Sequence, residues 1–142
     1  MKRKSTMAIG MVVFCFMVMA TGVVWSIPGV PNGTVTDGNL VWLQDADSYG
    51  KLPWDQAASS VGNLASGSHG LSDGSKAGQW RLPTKSELEG RVKNVTGFTN
   101  VSSEFYWSSD SVGSQAWAVS ANYKTGLADK PNPNHVWPVR SR

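Results

Sequence analysis

Few residues of this chain carry groups suited to acid–base or nucleophilic chemistry. Its two histidines are His69 and His135, and a serine pair, Ser108-Ser109, follows Tyr106-Trp107. A Ser-His-Asp hydrolase needs one of those histidines brought to Ser108 or Ser109 and oriented by a carboxylate. Nothing in the spacing supplies that, so the sequence reads as a protein that is not an enzyme. Asp45 and Asp47 have the spacing of two ligands in a hard-cation loop, but no bidentate glutamate completes it, and a solvated turn is the plainer reading. The two histidines, with a single cysteine (Cys15) inside the N-terminal apolar run, leave too few soft ligands for a structural zinc. No cofactor or metal is expected.

Binding is the remaining class. Trp80, Trp107, Trp117 and Trp137 can form an aromatic platform for sugar rings, although tryptophans at strand-like positions are more often core. A platform tryptophan needs an exposed face, so burial decides between the two. Arg81 and Arg140 can bind a carboxylate or sulfate, or can pin loops by pairing with Asp and Glu; pairing is the plainer reading. Asp73-Gly74-Ser75 has turn chemistry before it has site chemistry.

The N-terminus sets the charge reading. Met1-Lys2-Arg3-Lys4 is followed by an apolar run from Met7 to Trp25, the pattern of a secretory signal peptide over residues 1–26 with cleavage after Ser26. The run is also just long enough to span a bilayer, so an uncleaved anchor at residues 7–25 is the alternative. The full chain carries 13 Lys+Arg against 10 Asp+Glu, and Lys2, Arg3 and Lys4 are the whole of the +3 excess. Without them 10 basic residues face 10 acidic ones. A formally neutral domain lacks the basic footprint of a nucleic-acid binder, and none is expected as a partner.

The elements that must position these residues are legible from pattern. Residues 27–33 are a Pro/Gly-rich linker. Residues 34–43 read as a hairpin, with Asp37-Gly38 as a type I′ turn. Pro53 to Ala65 reads as a helix, with Trp54, Ala57, Ala58, Val61 and Leu64 on one stripe. Residues 66–79 are a glycine- and serine-rich loop. Thr84 and Glu87 form a reciprocal capping box opening a second helix, 85–93, with Leu88 and Val92 inward. Pro83 holds Leu82 extended before it. Beyond Gly97 the pattern is β: strands at 104–109, 115–123, 127–130 and 135–140, the last irregular at Pro138. Strand, two helices, then several strands is an α+β order.

Five blocks in this order resemble the bacterial DUF1566 family, the C-terminal domain type of Legionella collagen-like adhesins. They are Val35 to Ala46 with Trp42, the helix start at Trp54-Asp55-Gln56-Ala57, and Trp80-Arg81-Leu82-Pro83-Thr84 through Glu87 and Leu88. Tyr106-Trp107-Ser108-Ser109 is the fourth, and Val136-Trp137-Pro138-Val139-Arg140 the last. The blocks, with Trp117 between the last two, span nearly all of a domain at 34–142. The resemblance implies a C-type-lectin-like fold of two helices, a small antiparallel sheet and long loops, with the termini brought together. It implies a surface or secreted protein, in some members engaged in adhesion or glycan binding. The calcium-bridged sugar motif of true C-type lectins is not matched: Lys130-Pro131-Asn132 has lysine where a carboxylate belongs, and no Trp-Asn-Asp follows. The cysteines of the formylglycine-generating relatives are absent as well.

The expectation is therefore an exported, non-catalytic binding or adhesion module of the bacterial envelope, secreted, periplasmic or on the cell surface. Its partner would be a glycan or other surface component, and its candidate ligand residues lie on the loops: Asp73, Lys76, Lys130, Asn132 and Asn134. The alternative is a structural or assembly domain whose partner is another envelope protein. Membrane contact is expected only if the N-terminal segment stays uncleaved.

Overall fold

The computed structural model describes residues 31–142. The signal or anchor segment at 1–26 and the linker before residue 31 lie outside the described residues. Strand β1 (Thr34–Asp37) pairs antiparallel with β2 (Leu40–Leu43) in a register that sets Asp37 opposite Leu40. The turn is thus Gly38-Asn39 rather than Asp37-Gly38. Only Gly38 takes a positive φ there, 57°, the type II′ pattern.

Helix α1 (Trp54–Gly62) follows a two-residue strand β3 (Lys51–Leu52) that sequence pattern did not reveal. Pro53 sits at the N-cap rather than inside the helix, and Ala57, Val61 and Leu64 are buried as the stripe requires. Helix α2 (Lys85–Arg91) starts at Thr84, whose hydroxyl accepts the Glu87 N–H at 3.2 Å. The capping box is one-sided: the Glu87 carboxylate turns to the Arg81 guanidinium at 3.0 Å, because a full charge outcompetes a backbone N–H.

The remaining strands are β4 (Phe105–Val112), β5 (Gln115–Ser120), β6 (Thr125–Asp129), β7 (Asn134–His135) and β8 (Val139–Ser141). They build a five-stranded sheet in the order β3-β7-β4-β5-β6 and a three-stranded sheet in the order β1-β2-β8. The architecture is α+β. The larger sheet is not wholly antiparallel, since β7 meets β4 in parallel at Tyr106 and His135. The expected closing strand at 135–140 is split. Val136, Trp137 and Pro138 are buried between two short strands that belong to different sheets, so this segment ties the sheets together. The expected strand at 115–123 ends at Ser120, where the chain turns.

Successive residues of β4 and β5 point to opposite faces, which gives the domain two cores. On one face Trp107, Ala116 and Ala118 pack with α1, Trp80 and Leu82. On the other Tyr106 and Val119 pack with Leu88, Val92, Trp42, Trp137 and Val139. Of the four platform candidates, Trp80, Trp107 and Trp137 are buried, as is Trp42, so these are core; Trp117 is half-buried, with the Lys85 ammonium 4.5 Å above its ring. Buried indoles need acceptors. Trp107 donates to the Leu52 carbonyl at 2.7 Å, Trp137 to Leu43 at 3.0 Å and Trp80 to the Ser75 hydroxyl at 2.9 Å. Trp42 Nε1 is buried with no acceptor among the described residues.

Candidate functional site

Helix α2 lies across the second face of the larger sheet, anchored by Leu88 and Val92 beneath it and by the Lys85 N–H donating to Asp110 at 2.6 Å. Between its outer side and the turn joining β5 to β6 is a cleft of about 230 Å³, lined by Glu89, Val92, Lys93, Val119, Tyr123 and Thr125. Val92 and Val119 make an apolar floor, both buried. Glu89 stands on α2 and Lys93 in the turn just past its end. Glu89 accepts from the Thr125 hydroxyl at 3.3 Å and lies 3.6 Å from the Lys85 ammonium. The walls therefore carry a carboxylate, an ammonium and a hydroxyl above a hydrophobic base.

Tyr123 forms the rim and is 66% exposed, the most exposed large hydrophobic side chain among the described residues. Its backbone is left-handed, with φ 65°. That conformation costs a tyrosine roughly 1 kcal/mol or more and is sustained only by surrounding contacts. Here the Tyr123 N–H donates to Ser120 at 3.0 Å, the Ser120 N–H to Lys124 at 2.8 Å, and the Lys124 N–H to the Ser120 hydroxyl at 3.2 Å. The turn spends conformational energy to present an aromatic ring to solvent.

The five loop residues expected to bind ligand do not line this cleft, and they fall in two separate stretches of the chain. Lys76 belongs to the loop that closes on the C-terminal end of α1, where Gly78 N–H donates to the Gly62 carbonyl. Lys130 is at the opposite end of that helix: its carbonyl accepts the Trp54 N–H at 2.9 Å and its ammonium lies 4.4 Å above the Trp54 ring. A nine-residue helix separates those ends by about 12 Å. Asn132 is exposed beside Lys130, and Asn134 is half-buried in β7 against Leu52. The Asp73 carboxylate is buried, its side chain 2% exposed, and is fully engaged: it accepts from Arg140 Nη2 at 3.0 Å and from the Ser75 N–H and hydroxyl at 3.1 and 2.6 Å. Both arginines are loop pins, Arg81 on Glu87 and Arg140 on Asp73.

The catalytic candidates are likewise dispersed. Ser108 is buried and donates to the Trp117 carbonyl at 2.7 Å. His69 stacks on Tyr49, 4.0 Å between centroids, and its Nδ1 lies 2.5 Å from the Ser48 hydroxyl. His135 is 8% exposed, with Nδ1 2.9 Å from Asp47 and Nε2 3.3 Å from Glu104. The Lys51 ammonium bonded to Glu104 holds that carboxyl below its usual range, with His135 acting in the same direction. This chain of polar contacts staples β3, β7 and the start of β4. Asp45 closes its own turn, accepting the Asp47 N–H at 3.0 Å, and bonds Asn100 at 3.1 Å. Among the described residues no three His, Cys, Asp or Glu are grouped to hold a metal ion. Gly70-Leu71-Ser72-Asp73-Gly74 has the spacing of a nucleophile elbow, but it lies in irregular chain and not between a strand and a helix.

Sequence pattern missed the cleft because its residues come from two elements with unremarkable spacing, Glu89-Lys93 and Val119 to Thr125. The one available signal was a tyrosine beside a Lys-Thr-Gly turn, and that stretch reads more simply as strand. No curated protein matches the chain. A family model does, the Lcl C-terminal domain, over residues 33–140, and it covers both sheets, both helices and every residue of the cleft. The chain belongs to the family of the Lcl C-terminal domain.

Proposed function

We propose that this domain is an exported, non-catalytic binding module of the bacterial surface or envelope, and that the cleft between α2 and the β5–β6 turn takes a sugar unit. The observation that carries the reading is Tyr123, held in a left-handed backbone conformation with its ring exposed over a small cleft of mixed polarity. Residues kept in costly conformations cluster at ligand clamps. An aromatic face suits the C–H side of a pyranose, while Glu89, Lys93 and Thr125 offer an acceptor, a donor and a hydroxyl for its substituents. The cleft is smaller than the roughly 300–1,000 Å³ of drug-sized pockets, which fits one ring of a longer chain. Membership of a family named for an adhesin-type domain agrees with a surface role. A C-type-lectin-like arrangement is part of this reading; β1 and β8 flank β2, so both ends of the domain meet in one sheet, as such folds require.

The absence of turnover is part of the proposal, because the serine and histidine side chains reported above serve other partners. Titration of isotopically labelled protein with a panel of neutral, amino and acidic oligosaccharides tests the site. The expected result is saturable shifts at Glu89, Thr125 and Tyr123 that vanish in Tyr123→Ala. Shifts confined to Lys76, Lys130, Asn132 and Asn134 would move the site to the loops, and no shifts at millimolar ligand would end the glycan reading.

A further inference from the structure

Strand β6 is the last of the larger sheet, with β5 on one side and solvent on the other. Its pairing with β5 sets Gln115 opposite Asp129, Trp117 opposite Leu127 and Val119 opposite Thr125. The flanking bonds, Lys130 N–H to Ser114 and Ser120 N–H to Lys124, fix the alternation: even-numbered β6 residues bond to β5. Thr125, Leu127 and Asp129 therefore direct their N–H and C=O groups away from β5, where the Asp129 carbonyl accepts the Asn132 N–H at 3.0 Å. Natural sheets protect such edges with proline, bulges or lysine. Thr125-Gly126-Leu127-Ala128-Asp129 has none of these, and its central Leu127 is 42% exposed.

We propose that β6 pairs antiparallel with β6 of a second copy of this chain, about a two-fold axis through Leu127. The strand's own sequence satisfies that register. Leu127 meets Leu127, Gly126 meets Ala128, and Thr125 lies opposite Asp129 of the other copy, with the Thr125 hydroxyl on Glu89 and the Asp129 carboxylate on Gln115 of their own chain. All three outward residues fall at hydrogen-bonded positions; the Asp129 carbonyl already accepts the Asn132 N–H at 3.0 Å, which leaves about four backbone bonds with free partners across the axis. On one face the Trp117-Leu127 row continues into its symmetry mate, an apolar row four side chains long. A strand of unrelated sequence would make the backbone bonds but not the central leucine contact or the continuous apolar row. Lys124 meets Lys130 across the axis, the only like-charged encounter, and a five-residue edge buries less than the ~1,200 Å² of standard interfaces, so the dimer is weak and concentration-dependent. The two clefts would then lie on one face, offset along the strands by on the order of 14 Å and separated by the two β6 strands.

Sedimentation velocity across micromolar to millimolar concentrations tests the pairing. Expected is a mass that rises towards twice the monomer for the wild-type protein and for Val112→Lys, another exposed apolar position away from the edge, and a constant monomer for Leu127→Lys. A wild-type protein monomeric throughout, or Leu127→Lys associating like the wild type, overturns it. Amide exchange gives a readout needing no variant. Exchange at Leu127 and Asp129 is expected to slow about tenfold or more once most chains are dimeric, and equal rates at low and high concentration overturn the pairing.

Discussion

Replacing Asp73 by alanine is expected to cost about 3 kcal/mol. The Asp73 side chain is 2% exposed, and it accepts from Arg140 Nε and Nη2 and from the N–H and hydroxyl of Ser75. Ser75 in turn accepts from the buried Trp80 indole, so one carboxylate holds the 66–79 loop, β8 and a core tryptophan in register. Removing one partner of a buried ion pair costs roughly 3–5 kcal/mol, because the other charge is left without compensation. Arg140 keeps 19% side-chain exposure and can rehydrate in part, which places the effect at the low end. Asp73→Asn keeps an acceptor for Ser75 and loses only the charge, so about 1–2 kcal/mol is expected. Urea unfolding measures this directly. With a slope of roughly 1–3 kcal/mol/M, Asp73→Ala should lower the midpoint by 1 M or more at unchanged slope. Arg140→Met and the double variant close a cycle, and neighbours in one network should show coupling of about 1–3 kcal/mol. A loss below about 1 kcal/mol for Asp73→Ala, or strict additivity of the two substitutions, would refute the network.

The other expectations concern the core, the backbone and pH. Trp42→Phe should cost less than Trp137→Phe, because the first removes an indole N–H that has no acceptor and the second strands the Leu43 carbonyl; thermal unfolding of both variants compares them. Gly33→Ala should destabilise by about 1–3 kcal/mol, since its Cβ would stand 2.3 Å from the Gly70 carbonyl oxygen at φ 80°, whereas Gly70→Ala meets open space and pays only for its φ of 76°. Tyr123→Gly should leave stability unchanged or raise it by up to about 1 kcal/mol while abolishing glycan binding, a split that a merely structural tyrosine would not produce. Burial pushes the phenols of Tyr49 and Tyr106 up to about 12. Their folded values lie above the unfolded value near 10, so the stability they contribute is complete below pH ~10 and is lost as pH rises through ~12. Ultraviolet titration should show both ionising late, and Tyr106→Phe should flatten the alkaline loss.

Much of the scaffold was legible before any coordinates. The stripe from Trp54 to Leu64 and the Thr84 cap fixed both helices, because helical periodicity and capping are local physics. The short strands were less visible. Lys51-Leu52 and Asn134-His135 are two residues each, too brief for alternation to register, and they exist because their neighbours supply hydrogen bonds. The Asp37-Gly38 turn slipped by one position because local propensity favours Asp-Gly, whereas the pairing of β2 with both β1 and β8 sets the register. The candidate site was not legible. Its polar residues have ordinary spacing, and Tyr123 continues the alternation of Trp117, Val119 and Ala121 in sequence while leaving the strand in space.

By itself, the sequence determined the composition of the core, the two helices, the α+β order and the family, since each rests on patterns within short windows. It also set Arg81 and Arg140 among charges they could pair with. Only the tertiary structure decided which carboxylates those were, which tryptophans lost contact with water, and where an aromatic ring remained outside. These outcomes depend on contacts between residues dozens of positions apart. Arg140 finds Asp73 because the loop after α1 folds back onto the last strand, and Tyr123 stands over Glu89 and Lys93 because α2 packs across β5. No local window holds both halves of either arrangement.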